Sequence, residues 1–295
     1  MLQYKTMSMI DPQFITNHWP LSKVSLGETF QSYSSRNVVR VHANEGEFVA
    51  KIDHQPPSFE TAVQTYAIYD FLIARHFPHI PSIVKATDGN PLVYTHHQSV
   101  AVIEFIDGGH PEPTPSTWQE LGQIAAKLNS IPDFPFSYGV PTQGVIAELT
   151  EEAGHHPVSA QFLSFVDLLL PLLDYPRQGL VHSEINLSNA MRRQNGELVL
   201  IDWDEVGTGA TVLEAGYPLI TVFLTEDLIF QQELAAAFYQ AYYGQNQPDD
   251  HEKELLFRSA LLHSLRYMKY ANQQKRWERI CYAVAHKNSL LSAIF

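Results

Sequence analysis

Apolar and polar residues alternate over two short early stretches, 38–42 (Val-Val-Arg-Val-His) and 47–52 (Glu-Phe-Val-Ala-Lys-Ile), separated by Asn44-Glu45-Gly46. That period of two, broken by turn residues, predicts a pair of β-strands. Residues 91–94 and 100–106 read as two more. Between the pairs, Phe59, Val63, Tyr66, Tyr69 and Ile73 recur at helical spacing over residues 58–76, with Ser58 placed to cap the helix after Pro56-Pro57. Residues 107–117 (Asp-Gly-Gly-His-Pro-Glu-Pro-Thr-Pro-Ser-Thr) are dense in helix and strand breakers and mark a boundary. The pattern then turns helical. Thr117 and Glu120 have capping-box spacing, followed by an apolar face of Leu121, Ile124, Ala125 and Leu128. Further helices are expected near 159–173, 226–243, 251–271 and 275–292. The expected organisation is a sheet-rich lobe over residues 1–106, a hinge near 105–110 and a larger helical lobe over residues 107–295.

Composition narrows the possibilities. A chain of 295 residues with 45% hydrophobic content can bury a core without disulfide or metal staples. Nineteen Lys and Arg against 32 Asp and Glu give a net charge of −13, and no basic run exceeds two residues. Binding to a phosphate backbone needs clustered basic side chains, so no nucleic-acid partner is expected. Cys281 is the only cysteine, which excludes an internal disulfide. The first residues lack a basic region followed by an apolar run, and no apolar stretch approaches the roughly 20 residues of a bilayer span. A soluble, cytoplasmic protein with no membrane partner is the expectation.

One segment interrupts the helical pattern of the second half: 180–191, Leu-Val-His-Ser-Glu-Ile-Asn-Leu-Ser-Asn-Ala-Met. After it come Arg192-Arg193-Gln194, the pair Asn195-Gly196, and the β-prone run 197–204, Glu-Leu-Val-Leu-Ile-Asp-Trp-Asp. Asn-Gly between two short β-prone runs signals a hairpin with a type I′ turn. A hairpin brings its ends together, so Asn189 and Asp202 can converge. An amide oxygen and a carboxylate suit Mg²⁺, which takes few protein ligands and completes its shell with phosphates. Glu184, on the loop before, is placed to meet a substrate hydroxyl. These are the parts of a phosphoryl-transfer site.

The spacing His182-x-Glu184-x₄-Asn189, followed by a hairpin and Ile201-Asp202-Trp203-Asp204, resembles the aminoglycoside phosphotransferase/choline kinase superfamily. Its loop usually reads His-Gly-Asp, then an aliphatic residue, His or Asn, Pro, any residue and Asn. The resemblance runs over about residues 35–205. Residues 35–41 are similar to the family's first strand pair, Ala50-Lys51-Ile52 to its lysine strand, 102–108 to its hinge, and 126–129 to a helix that usually ends Leu-His. It implies a protein-kinase-like α+β fold of two lobes, with a small antiparallel-sheet N-lobe and a larger, mainly helical C-lobe. It implies ATP, or GTP, with Mg²⁺ as cofactors, and a small-molecule hydroxyl as phosphoryl acceptor. In that frame Lys51 holds nucleotide phosphates, Glu60 is the candidate partner of Lys51, and the backbone of Glu104, Phe105 and Ile106 holds the purine. Asn189 and Asp202 hold the metal, Glu184 is the catalytic carboxylate, and His182 is structural. Asp204 is open between a further ligand and a surface acid.

Three departures stand out: Glu184 where the family has Asp, Ser183 where it has Gly, and Leu187 where it has Pro. The first supports a second reading, a nucleotide-binding pseudokinase with a regulatory or scaffolding role. A protein kinase is disfavoured by Trp203 and by the lack of Ala-Pro-Glu downstream. A metallohydrolase is disfavoured because the adjacent pairs His96-His97 and His155-His156 point apart on strand or helix. His251-Glu252 also lacks the second His of a zinc helix. Phe238, Tyr239, Tyr242 and Tyr243 read as core or as a substrate wall. The stretch 202–227 carries Asp202, Asp204, Glu205, Glu214, Glu226 and Asp227 with no Lys or Arg, which favours a cationic or neutral acceptor.

Overall fold

The computed structural model describes residues 10–30, 36–95, 98–137, 139, 141–154, 158–269 and 273–295. Ser35, His96-His97, His155-His156, the first nine residues and the last two of the expected helix 251–271 lie outside them. The fold is mixed α+β, with an antiparallel sheet in the N-terminal region and helices in the C-terminal region. Two compact units are present, one of residues 1–108 with 192–201, the other of 109–191 with 202–295. Against the expected division at 106, the cut falls at Gly108, and ten residues of the later hairpin segment return to the first unit.

The first unit contains α1 (Pro12–His18), β1 (Ser25–Phe30), β2 (Arg36–Ala43), β3 (Gly46–Asp53), α2 (Phe59–Ala74), β4 (Ile83–Val84), β5 (Val93–Tyr94) and β6 (Ser99–Glu104). The sheet order is β1-β2-β3-β6-β4, with β5 also on β6, and each of these pairings is antiparallel. Alternation explains its two faces. Val39, Val41, Ala50, Ile52, Val100 and Val102 form one core with Ile15 and Trp19 of α1. Ala101 faces the other way and packs with Ala62 of α2 and Leu92. Both faces of β6 are therefore covered, which is why this strand reads as a continuous apolar run. The helix α1 was not expected, although Asp11 caps it and Pro12 opens it, a recognisable start signal.

A short strand β7 (Gly108–Gly109) leads into the second unit, where α3 (Pro115–Asn129), α4 (Thr142–Ala153) and α5 (Ser159–Asp167) precede β8 (Gln178–Val181). The hairpin strands β9 (Ala190–Arg193) and β10 (Leu198–Leu200) follow, then β11 (Gly207–Ala210), which pairs with β8. The helices α6 (Val212–Thr221), α7 (Gln232–Tyr243), α8 (Asp250–Arg266), α9 (Gln273–Ala285) and α10 (Lys287–Ser292) complete the chain. In this unit α3 packs on α7 and α6 on α8. Phe238, Tyr239 and Tyr243 are buried, and the Tyr239 hydroxyl donates to the Ala215 carbonyl at 2.8 Å, so this cluster is core.

Several boundaries differ from expectation for local reasons. The helix α3 starts one turn before the Thr117–Glu120 box, because Thr114 caps the Thr117 amide at 3.2 Å and Pro115 supplies a preset first turn. The expected helix 159–173 stops at Asp167 and continues as a 3₁₀ turn, Leu170–Asp174, around Pro171. The helix α7 begins at Gln232, since residues 225–231 form a turn with Leu228 at φ +61. The expected helix 275–292 divides at His286 into α9 and α10.

Candidate active site

The loop after β8 is built around one buried acid. Glu214 on α6 is fully buried, and its Oε2 accepts the backbone amides of His182 at 2.6 Å and Ser183 at 3.0 Å. Burial pushes its carboxyl up to about 7, against the pull of those two amides, and the nearby Glu184 charge pushes the same way. Ser183 sits at φ +60, in the left-handed region where the resembling loop has glycine. For a residue with a Cβ that conformation costs about 1–2 kcal/mol, so it persists only where surrounding contacts enforce it. Two other residues hold the same loop. Asn129, at the end of α3, donates to the Leu180 carbonyl at 2.7 Å and accepts from Tyr242 at 2.6 Å. The His110 ring Nδ1–H donates to the carbonyls of Leu187 and Ala190, at 3.1 and 3.0 Å.

Within the loop, Asn186 caps a 3₁₀ turn, Leu187–Asn189, its Oδ1 accepting the Asn189 amide at 3.0 Å. The Nδ2 groups of Asn186 and Asn189 both donate to the Glu184 carbonyl, at 3.0 and 3.1 Å. The nitrogen end of Asn189 is thereby committed, which leaves its amide oxygen as the end that can meet a cation. His182 is buried, with its ring edge-on to Trp203 at 4.8 Å.

Glu184 is half-buried and accepts a short hydrogen bond from the hydroxyl of Tyr267. Burial raises its carboxyl above the ordinary range. The Tyr267 hydrogen bond opposes this, while the charges of Glu205 and Asp202 add to it. Asp202 is therefore an electrostatic neighbour of Glu184 within the second unit. Like Ser183, it holds a left-handed conformation, φ +65, which Asp tolerates better than most residues. Asp204 is half-buried in the turn that follows. Arg266, the last residue of α8, donates to Glu205 at 2.6 and 3.0 Å.

The hairpin between Asn189 and Asp202 forms, but with a different turn. Gly196 has φ +89 while Asn195 is not in the positive region, and Gly196 N donates to Arg193 O at 2.9 Å. With Arg193 N donating to Glu197 O at 2.9 Å, this is a three-residue loop with a glycine bulge, and not the expected type I′ turn. The Asn195 side chain explains the choice: its Oδ1 accepts the Glu197 amide at 3.0 Å, which suits a negative φ at that residue.

In the first unit, Lys51 lies half-buried on β3 opposite Ala101. Glu60 stands exposed in the first turn of α2. The Glu104 side chain pairs with Arg193 and accepts the Ser82 amide at 2.9 Å. Burial raises its carboxyl, but the guanidinium and the amide outweigh burial and hold it below the ordinary range. Its own amide donates to Ser82 O at 2.8 Å, and the Phe105 amide donates to Glu47 O at 3.1 Å. Arg40 lies over the Phe105 ring at 4.0 Å, and Ile106 is buried.

The acidic stretch 202–227 is less of a lining than its composition suggested. Glu214 faces the loop amides, Glu205 pairs with Arg266, and Glu226 pairs with Lys275 at 3.2 Å. Among the described residues no group of three or more His, Cys, Asp or Glu side chains is placed to hold a metal by itself. A carboxylate and an amide oxygen, the groups that Asp202 and Asn189 carry, are donors of the kind Mg²⁺ takes when it is carried with phosphates. Tyr267, His110 and Tyr217 were not expected as site residues, and Glu214 was expected only as one acid of the 202–227 lining. Of these, only Glu214 had a signal, an acid within the apolar run of α6.

No helix is long and apolar enough to cross a membrane among the described residues. A search of curated proteins gives no match. Solved structures share the fold. An amicoumacin kinase bound to AMP-PNP, Ca²⁺ and amicoumacin has a TM-score of 0.68 at 16% identity, covering 93% of this chain and 92% of its own. A microcompartment-associated aminopropanol kinase scores 0.61 at 19% identity, covering 96% and 97%. An ethanolamine kinase from Plasmodium vivax scores 0.62 at 11% identity, covering 94% and 88%. The model of the phosphotransferase enzyme family, APH, matches residues 27–256, most of the chain and all of the loop just described, and the chain belongs to that family.

Proposed function

We propose that this protein transfers the γ-phosphoryl group of ATP, or GTP, to a hydroxyl of a small molecule. The observation that carries the reading is the Glu184 loop. A half-buried carboxylate, raised by burial and acidic neighbours, stands one turn from an asparagine whose amide nitrogen is committed to the same loop. A carboxylate whose pKa is raised is a stronger base toward the proton of a hydroxyl.

In this reading the acceptor oxygen bonds to the γ-phosphorus, the bond to the β–γ bridging oxygen breaks, and ADP, or GDP, leaves. The acceptor proton passes to Glu184. Asn189 and Asp202 would hold Mg²⁺, which when bound neutralises charge on the phosphates. Lys51 would steady the phosphates, with Glu60 its candidate carboxylate partner. At the hinge, the Glu104 and Phe105 amides already have acceptors, so a purine acceptor nitrogen would be met by Ile106. A cationic or neutral acceptor remains the proposal, resting now on Glu184, Asp202 and Asp204 rather than on the whole acidic stretch.

The second reading, a nucleotide-binding pseudokinase, is favoured by Glu184 itself, one of whose oxygens is already engaged by Tyr267. Calorimetric ATP titration beside transfer assays over a panel of small hydroxyl compounds, with and without Mg²⁺, separates the two. Asp202→Ala abolishes Mg²⁺-dependent ATP binding. Glu184→Ala leaves binding intact and lowers turnover by roughly 10²–10⁴-fold. Equal, negligible transfer by wild type and Glu184→Ala, with Mg-ATP bound by both, establishes the pseudokinase instead.

A further inference from the structure

Glutamate at position 184 sets a geometric problem. Compared with aspartate it carries its carboxylate one bond further, roughly 1.5 Å, and adds a rotatable bond with several staggered positions. A misplacement of about 1 Å at a reacting centre costs on the order of 10²-fold in rate. A glutamate can serve there only if something outside its own loop fixes the carboxylate.

We infer that Tyr267 is the positioning residue that makes a glutamate workable at 184, its hydroxyl holding Oε1 and leaving Oε2 for the acceptor. The inference rests on the phosphotransferase reading of this site. Its ground is a contact between residues 83 apart in the chain, the Tyr267 hydroxyl donating to Glu184 Oε1. Tyr267 is itself fixed from two sides. The preceding residue, Arg266, has a side chain only 12% exposed and donates twice to Glu205, at 2.6 and 3.0 Å, which ties the end of α8 to the segment just after Asp202. On the other side the Tyr217 ring meets the Tyr267 ring edge-on, with centroids 6.3 Å apart at 68°. The Tyr217 hydroxyl accepts from Asn186 Nδ2 at 2.9 Å. Two tyrosines, from α6 and from the end of α8, thus grip the loop at Glu184 and at Asn186. The grip on Glu184 suits the longer side chain: an aspartate there would end about one bond short of the hydroxyl.

The test is a double-mutant cycle on the intact protein with Tyr267→Phe, Glu184→Asp and the pair. Values of kcat and KM are measured with Mg-ATP and each of choline, homoserine, glucose and kanamycin, and with water alone as acceptor, beside melting temperatures. Tyr267→Phe is expected to lower kcat by roughly 10- to 100-fold, with KM for ATP and the melting temperature unchanged. Glu184→Asp is expected to lose a similar factor, and the double variant no more than the worse single one. A merely structural tyrosine would shift the melting temperature and would not couple to side-chain length at 184. Unchanged or raised kcat in Tyr267→Phe, wild-type activity in Glu184→Asp, or additive losses in the pair overturns the inference and leaves the phosphotransferase reading standing. Mg-ATP binding by wild type with neither transfer nor hydrolysis overturns both.

Discussion

One oxygen of Glu214 accepts the amide of Ser183 at 3.0 Å, across 31 residues of chain, and so holds the loop where its backbone is strained. The same oxygen takes the His182 amide at 2.6 Å. Glu214→Ala leaves two buried amides without an acceptor, each loss costing about 1–3 kcal/mol. Stability is expected to fall by about 3 kcal/mol, read from urea denaturation, with turnover falling as the loop relaxes.

The same acid makes stability depend on pH. Its folded pKa, about 7, lies above the ordinary 4.5, so the native state binds more protons than the unfolded state between those values. Its stabilising contribution is present in full below pH 4.5 and is lost as pH rises through about 7, a swing of roughly 3 kcal/mol. Buried His263, which donates to Leu213 O and is held down to about 3 chiefly by burial, works in the opposite direction, costing stability as pH falls below 6.5. The diagnostic quantity is therefore the difference between wild type and Glu214→Gln. As pH falls from about 7 toward 5, the difference in denaturant midpoint should shift in favour of wild type; parallel pH curves would contradict this.

Ser183 at φ +60 predicts an asymmetric response to substitution. Ser183→Gly should fold with stability equal to or up to about 1 kcal/mol above wild type, because glycine enters the left-handed region without penalty. Ser183→Val should lose about 2 kcal/mol, since a β-branched residue there is an outlier and the site is fully buried. Thermal melts of the two variants moving in the same direction by the same amount would refute the backbone argument.

Gly108 ends the first unit's main segment at a close approach. A Cβ there would stand 1.9 Å from the Arg192 carbonyl oxygen, which is backbone and cannot swing aside. Gly108→Ala is expected to cost about 2 kcal/mol or more in stability. Gly109→Ala, where a Cβ meets nothing within 4 Å, should cost well under 1 kcal/mol, and this pair of melts checks the claim.

The elements whose signals are local were legible in the chain. The strands β2, β3 and β6, the helix α2 with its Ser58 cap, and the hairpin after the 182–189 loop follow from period, turn residues and motif spacing, which act over a few residues. The type of the hairpin turn was not, because the Asn195 side chain chose between two loops compatible with the same Asn-Gly pair. The contacts that give the loop its chemistry lay furthest from view. Glu214 reaches Ser183, and Tyr267 reaches Glu184, only because α6 and α8 pack side by side and deliver residues 31 and 83 positions away. The burial that raises Glu214 to about 7, and the pairing that takes Glu205 and Glu226 out of the acidic lining, are likewise properties of packing. Residue types and spacing determined which groups could do the chemistry; desolvation and long-range contact, which exist only once the helices close on one another, decided which of them are held, neutralised or left to act.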